Sequence, residues 1–287
     1  MLKPALSGDS FLNDVHRRNA NSDSFDVWWL GQSGFLIRWQ DRHLLMDPYL
    51  SDSLTKKYAD TDKPHVRMSE QVIDPLKLDF IDVVTSSHSH TDHLDHLTLQ
   101  PLVQVNPGLD LVVPVAILDV ALERSCLTSE RLLTINAGQS IESNRFCINA
   151  VPSAHELIET DKNGNHLYLG YVVQFGPWTI YHSGDTVQYD KMEEILSQWK
   201  IDVMFLPING RKPERRVSGN LWGKESAQLA KAVNARMAIP HHYNMFEFNS
   251  ETPDEFIAEA ESINQPYHLL RNGERWNSNS LTPETKD

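Results

Sequence analysis

Four of the thirteen histidines, His88, His90, His93 and His96, fall within nine residues in the run SSHSHTDHLDHL. Alternate residues of an extended segment share a face, so His88 and His90 point the same way and suit one metal ion. Asp92 and His93 point elsewhere as the chain turns toward a helix. They suit a second ion about 3.5–4 Å from the first, the usual spacing of two-metal sites. The plain alternative is a polar loop with solvated histidines. Three histidines and an aspartate in H-x-H-x-D-H register are far less expected by chance than a lone histidine.

A dinuclear site needs further ligands at other strand ends, where layered folds collect functional residues. His155 follows the strand expected over 147–151. Asp185 follows the strand expected over 178–182, and His242 follows the one ending at Pro240. Imidazole with carboxylate suits zinc or manganese, and iron is also compatible. Asp47 closes a strand before Pro48. It either receives the second ring nitrogen of a ligating histidine or simply terminates the strand in an Asp-Pro turn.

The elements that must position these residues alternate between strand-like and helix-like patterns, as in a layered α/β domain. Strands are expected over 27–30, 35–39, 44–47, 80–86, 111–113, 147–151, 169–175, 178–182, 203–207 and 235–240. Helices are expected over 116–124, 191–199, 223–234 and 253–264. Gly176-Pro177 reads as a tight hairpin, and Gly31 with Gly34 as another turn, with close backbone approach to the site as the alternative there. Of the adjacent Trp28 and Trp29, one is expected in the core and the other on the opposite side. Residues 1–24 are polar and expected to be loosely held, 25–276 to form a single domain, and 277–287 to be a polar tail.

Composition limits the function class. The 39 acidic and 26 basic residues give a formal net charge of −13, which argues against nucleic-acid binding. With 40% hydrophobic and 23% charged residues the chain is an ordinary globular mixture. The two cysteines cannot make a disulfide framework, and no apolar run approaches the roughly 18 residues of a membrane span. A cytoplasmic protein without a membrane span is expected, with homo-oligomerisation left open.

The H-x-H-x-D-H loop, His155, the Gly184-Asp185 pair and the terminal PHHY together resemble the metallo-β-lactamase superfamily. The motifs VWWLGQSGFLI, MDPYLSDS, YHSGDT, LPINGR, GNLWGKES and IPHHYNMF are most similar to ascorbate-6-phosphate lactonase-like hydrolases, and they run over 27–246. This resemblance implies a four-layer αββα sandwich (α/β in composition, α+β in order) with two similar halves. It implies His88, His90 and His155 on one metal, Asp92, His93 and His242 on the other, and Asp185 between them. It also places the last ligand two residues after the proline, at His242, leaving His241 to line the pocket. His96 is then a helix-face residue, and His182 faces the substrate at most.

The activity so implied is metal-dependent hydrolysis. A metal-bridging hydroxide attacks a lactone or ester-type carbonyl, and Asp92 or Asp185 carries the proton to the leaving alkoxide. Phosphodiester cleavage of nucleotide, RNA or phospholipid is the alternative, and a non-catalytic metal-binding protein is a third reading. Diiron oxygen reductases of this fold have Glu where this chain has His90, which argues against redox chemistry. The basic run at Arg211, Lys212, Arg215 and Arg216 suggests a small anionic substrate, such as a phosphorylated lactone, with Arg211 as its partner. Tyr243 and Asn244 are candidate donors in the same pocket.

Overall fold

The computed structural model describes residues 1–17 and 23–281 of the 287-residue chain. Seven strands form the first sheet: β1 (Phe25–Gly31), β2 (Gly34–Trp39), β3 (Arg42–Met46), β4 (Val83–Thr85), β5 (Asp110–Pro114), β6 (Leu132–Ile135) and β13 (Arg275–Asn277). Their order is β13-β1-β2-β3-β4-β5-β6, antiparallel up to β3 and parallel beyond it. The second sheet holds β7 (Ser140–Ser143), β8 (Phe146–Pro152), β9 (Leu169–Phe175), β10 (Trp178–His182), β11 (Val203–Pro207) and β12 (Met237–His241). Its order is β12-β11-β10-β9-β8-β7, with parallel pairing only at β10-β11-β12.

The two sheets pack face to face through one apolar core. Val27, Trp29, Phe35 and Ile37 meet Ile148, Tyr171, Val173 and Phe205 there, with Phe35 and Phe205 rings 4.3 Å apart. Strand residues alternate between faces, so Trp28, Leu30, Leu36 and Leu45 fill a second core on the outer side of the first sheet. That core lies under α1 (Gly8–Val15), α3 (His96–Val105) and α4 (Leu118–Ser125). Helix α5 (Met192–Leu196) adds Met192 and Leu196 to the first core, helices α6 (Gly223–Ala232) and α7 (Asp254–Ser262) pack on each other, and α6 covers β11 and β12 of the second sheet. The layers are therefore helix, sheet, sheet, helix, as expected. Both tryptophans are buried, one in each core, because each side of the first sheet has its own cover.

Three strands and two helices, α1 and α2, lie outside the expected pattern. The strands β6, β7 and β13 are short and only half-buried, so their apolar signal is weak. Helix α3 is the helix expected after the histidine loop, and Pro101 in its interior disguises how far it runs. Helix α2 (Ser53–Lys57) is five residues long. Helix α1 corrects the expectation of a loosely held start: Phe11 and Val15, one turn apart, are fully buried, and Asp14 accepts a hydrogen bond from Trp28 Nε1 at 2.9 Å. At the other end, residues 277–281 are folded onto the first sheet, with Leu281 buried, whereas the expected tail beyond them lies outside the described residues.

Candidate metal centre

The ligand candidates sit on loops that leave strands at one edge of the sandwich. Strand β4 ends at Thr85, and the next residues run through Ser86 and Ser87 into His88. Strands β8, β10 and β12 likewise lead into His155, Asp185 and His242. The loops from the two sheets meet where Gly184 passes Ser87. A Cβ on Gly184 would lie 2.6 Å from Ser87 Cβ, and its φ of +59° already favours glycine. Asp185 is thereby carried across the sandwich to the histidine loop.

Three overlapping groups of ligand atoms result, each with its atoms within 4.8 Å of one another: His88, His90 and His155; His88, His93 and Asp185; Asp92, His93 and His242. Asp185 stands between them. Its carboxylate oxygens lie 3.4 Å from His93 Nε2, 3.7 Å from His155 Nε2 and 3.3 Å from His242 Nε2. Asp92 Oδ2 lies 3.7 Å from His93 Nε2 and 3.8 Å from His242 Nε2. Among the described residues no lysine or arginine pairs with either carboxylate.

On His93 and His155 the other ring nitrogen is occupied, which fixes the orientation of those two rings, whereas His242 Nδ1 is buried without a hydrogen-bond partner. His93 Nδ1 lies 2.6 Å from Asp47 Oδ2, and His155 Nδ1 donates to the Gly219 carbonyl at 3.0 Å. Asp47 is fully buried and also accepts from the Ser87 amide at 2.7 Å, so it ties the histidine loop to the end of β3. By contrast, His88 Nε2, His93 Nε2 and Asp185 Oδ1 are buried and have no hydrogen-bond partner. Buried polar atoms are normally satisfied. Orphaned lone pairs of imidazole and carboxylate that converge on one spot are what a divalent cation binds, so the donor set fits a metal centre.

Electrostatics agree with that reading. Burial lowers the pKa of His88, His90 and His155, keeping them neutral and able to offer a lone pair. Burial would raise Asp185, but the charges of His242 and His93 outweigh it and hold the carboxyl well below the usual range. Burial also opposes protonation of His93, yet Asp185, Asp92 and Asp47 together raise it well above the ordinary value. The carboxylates thus gather positive charge at the centre.

The cluster forms part of the wall of a cavity of about 530 Å³. Gln32 lies on the turn between β1 and β2 and donates to Asp92 Oδ2 at 2.7 Å, while its carbonyl accepts from the His242 amide at 3.0 Å. Gly31 and Gly34 pair across this turn, so the two glycines make a hairpin that also reaches the site. Three cations line the cavity: Lys57, Arg124 and Arg216. Arg124 donates to the carbonyls of Ser89 and Leu94, clasping the histidine loop, and Arg216 pairs with Asp62 at 2.6 Å.

Several expected substrate contacts lie elsewhere. Arg211 forks onto Glu225 at 2.6 and 2.7 Å, at the start of α6, and does not line the cavity. Tyr243 stacks on Trp29 at 4.7 Å and donates to the Leu270 carbonyl, and with Asn244 it borders a different cavity. His182 and His241 are stacked at 5.1 Å, fully buried behind the ligands. His182 Nε2 donates to the Ser33 carbonyl, and its Nδ1 accepts from the Gly184 amide, so this ring holds the Asp185 loop rather than a substrate. His96 opens α3 with an exposed ring. Sequence reasoning missed Gln32, Lys57, Tyr58, His65, Arg124, Phe246 and Phe248. Arg216, from the same basic run, lines the cavity, but nothing in the sequence distinguishes it from Arg211, which the fold commits to Glu225.

Comparison with known proteins agrees with this architecture. A family profile described as a beta-lactamase superfamily domain matches residues 26–242. A UPF0173 metal-dependent hydrolase of Methanopyrus kandleri is 28% identical over 240 residues, covering 83% of this chain and 92% of the relative. Its counterpart in Thermoplasma acidophilum is 26% identical, covering 84% and 93%. In fold, the metallo-beta-lactamase fold protein YhfI of Bacillus subtilis superposes with a TM-score of 0.63 at 18% identity, covering 89% of this chain and 99% of that one. A single profile spanning both sheets and ending at His242 leaves one assignment: the chain belongs to the metallo-β-lactamase superfamily.

Proposed function

We propose that the protein is a metal-dependent hydrolase that holds two divalent ions, zinc or manganese, and opens a lactone or ester of a small anionic molecule. The observation that carries this reading is the set of three overlapping ligand groups, with the buried Asp185 among them, in the cavity wall. Relatives named metal-dependent hydrolases support it. Divalent ions bound there supply a hydroxide at neutral pH and charge to polarise a carbonyl.

The chain's own groups do the rest. His88, His90 and His155 make one ligand set, Asp92, His93 and His242 the other, and Asp185 serves both. Asp92 reaches the cavity and is aimed by Gln32, so it is placed to carry a proton to the leaving alkoxide. Lys57 and Arg124 make no ion pair among the described residues, and with Arg216 they offer positive charge to a phosphate or carboxylate. Arg216, not Arg211, takes the role of anion partner. Residues 25–276 act as one hydrolytic unit.

The test is turnover of metal-loaded protein on phosphorylated and neutral lactones, simple esters and phosphodiesters. The reading predicts metal-dependent opening of lactones or esters, with anionic ones preferred. Phosphodiester cleavage without ester or lactone hydrolysis would overturn it.

A further inference from the structure

Part of the cavity wall is built from residues that the hydrolytic reading leaves unused. Leu54 and Tyr58 come from α2 and the residue after it, His65 from the loop that follows, and Phe246 and Phe248 from the segment beyond His242. Together they make an apolar, aromatic face in a cavity whose remaining surface carries carboxylates, imidazoles and cations.

Packing fixes His65 within this face. Its ring stacks on Tyr58 at 4.2 Å with 20° between planes, and Phe248 and Phe246 meet it edge-on at 4.6 and 5.2 Å. Thr55 Oγ1 donates to the His65 carbonyl at 2.8 Å, anchoring the loop to α2. His65 Nδ1 lies 3.1 Å from the Lys63 carbonyl, so this nitrogen carries the hydrogen and Nε2 keeps a lone pair. Burial lowers the pKa of His65, with Lys63 and Lys57 acting in the same direction and the Lys63 carbonyl and Asp92 opposing, so the ring is neutral near pH 7. Nε2 has no hydrogen-bond partner among the described residues. A half-buried acceptor set among aromatic rings, in a cavity that also holds the ligand cluster, is a recognition element for a donor carried on an apolar group.

We propose that this wall selects the substrate, packing a flat apolar ring of the ester or lactone on Tyr58 and Phe248, which the buried Phe246 backs, while His65 Nε2 accepts a hydrogen bond from a hydroxyl on that ring. The proposal rests on the hydrolytic reading for the metal side of the cavity and adds the recognition of the group away from the scissile bond. A substrate of this class is an aryl or cyclic ester with a phenol-like hydroxyl, larger and less polar than a bare sugar phosphate.

Binding tests it without turnover. The metal-loaded protein is titrated calorimetrically with acetate, phenylacetate and 4-hydroxyphenylacetate. The wall predicts about tenfold tighter binding of phenylacetate than acetate, from burial of the ring, and a further gain of about fivefold from the hydroxyl. His65→Phe keeps the ring packing and should abolish the hydroxyl gain alone, with metal content unchanged. His65→Gln, which retains an acceptor, should restore part of that gain. Phe248→Ala should weaken both ring acids and leave acetate as it was. Equal binding of acetate and phenylacetate, or a hydroxyl gain that survives His65→Phe, would overturn the proposal. Absence of ester or lactone hydrolysis would count against the hydrolytic reading instead, since ring preference is read from binding.

Discussion

At the level of single residues, the candidate ligand cluster was readable because four of its seven members stand in one short run. His88, His90, Asp92 and His93 need only a loop to converge, and adjacency in sequence supplies it. Asp47 was an open choice between a turn and a histidine partner, and the structure makes it both: it ends β3 with a φ of +40° and holds His93 at 2.6 Å. Asp47→Ala should therefore weaken metal binding about 10–100-fold while the fold persists. Competition with a chromogenic chelator measures this, and unchanged affinity would mean that Asp47 serves only the turn. The cations that line the cavity were not readable, because a guanidinium's partner depends on tertiary contacts. Arg211 forks onto Glu225, a pair exposed by 39% and 27% and hence worth under about 1 kcal/mol. Arg211→Ala should leave KM for an anionic substrate within about twofold, whereas Arg216→Ala should raise it about tenfold, the loss of a charge-assisted contact. The opposite ranking would return the anion site to Arg211.

At the level of elements, strands with strong β-branched and aromatic content were legible to within a few residues. β9, β10 and β11 begin and end where the pattern places them. The extent of helix α3 was hidden by Pro101, and β6 and β7 by their mixed faces, since periodicity reports burial and these elements are buried on part of their length. What no pattern shows is the contact between the ends of the two sheets. Gly184 passes Ser87 where a Cβ would lie 2.6 Å away, and the next residue in each loop is a ligand candidate. Gly184→Ala should cost roughly 2 kcal/mol, from the left-handed backbone and the clash together, and should displace Asp185. A melting curve and a metal count check this jointly. Loss of stability with full metal content would separate the packing role from the positioning role.

At the level of the whole molecule, the sandwich follows from two sheets that each carry an apolar inner face, and the order of strands and helices made that arrangement expected. Its stability should depend on pH through a residue at the end of β3 away from Asp47. His43 in β3 is pushed down to about 4, first by burial, with Arg38 and His16 adding to the shift and Asp82 opposing it. The folded chain keeps this ring neutral while the unfolded chain protonates it near 6.5. The contribution is therefore full above pH 6.5 and is lost as pH falls toward 4. At pH 5 the loss amounts to about 2 kcal/mol. Urea unfolding at pH 7 and pH 5 should show a drop in wild-type stability that is smaller in His43→Gln by about this amount. Equal drops would place the pH dependence elsewhere.

If Asp185 serves both ligand sets, each chain should hold two ions. Elemental analysis of metal-loaded protein tests it most directly, comparing wild type with Asp185→Ala and His96→Ala at matched protein concentration. Two ions per chain in wild type and His96→Ala, falling to one or none in Asp185→Ala, is the predicted result. A wild-type stoichiometry of one, or an Asp185→Ala variant that keeps both ions, would contradict it.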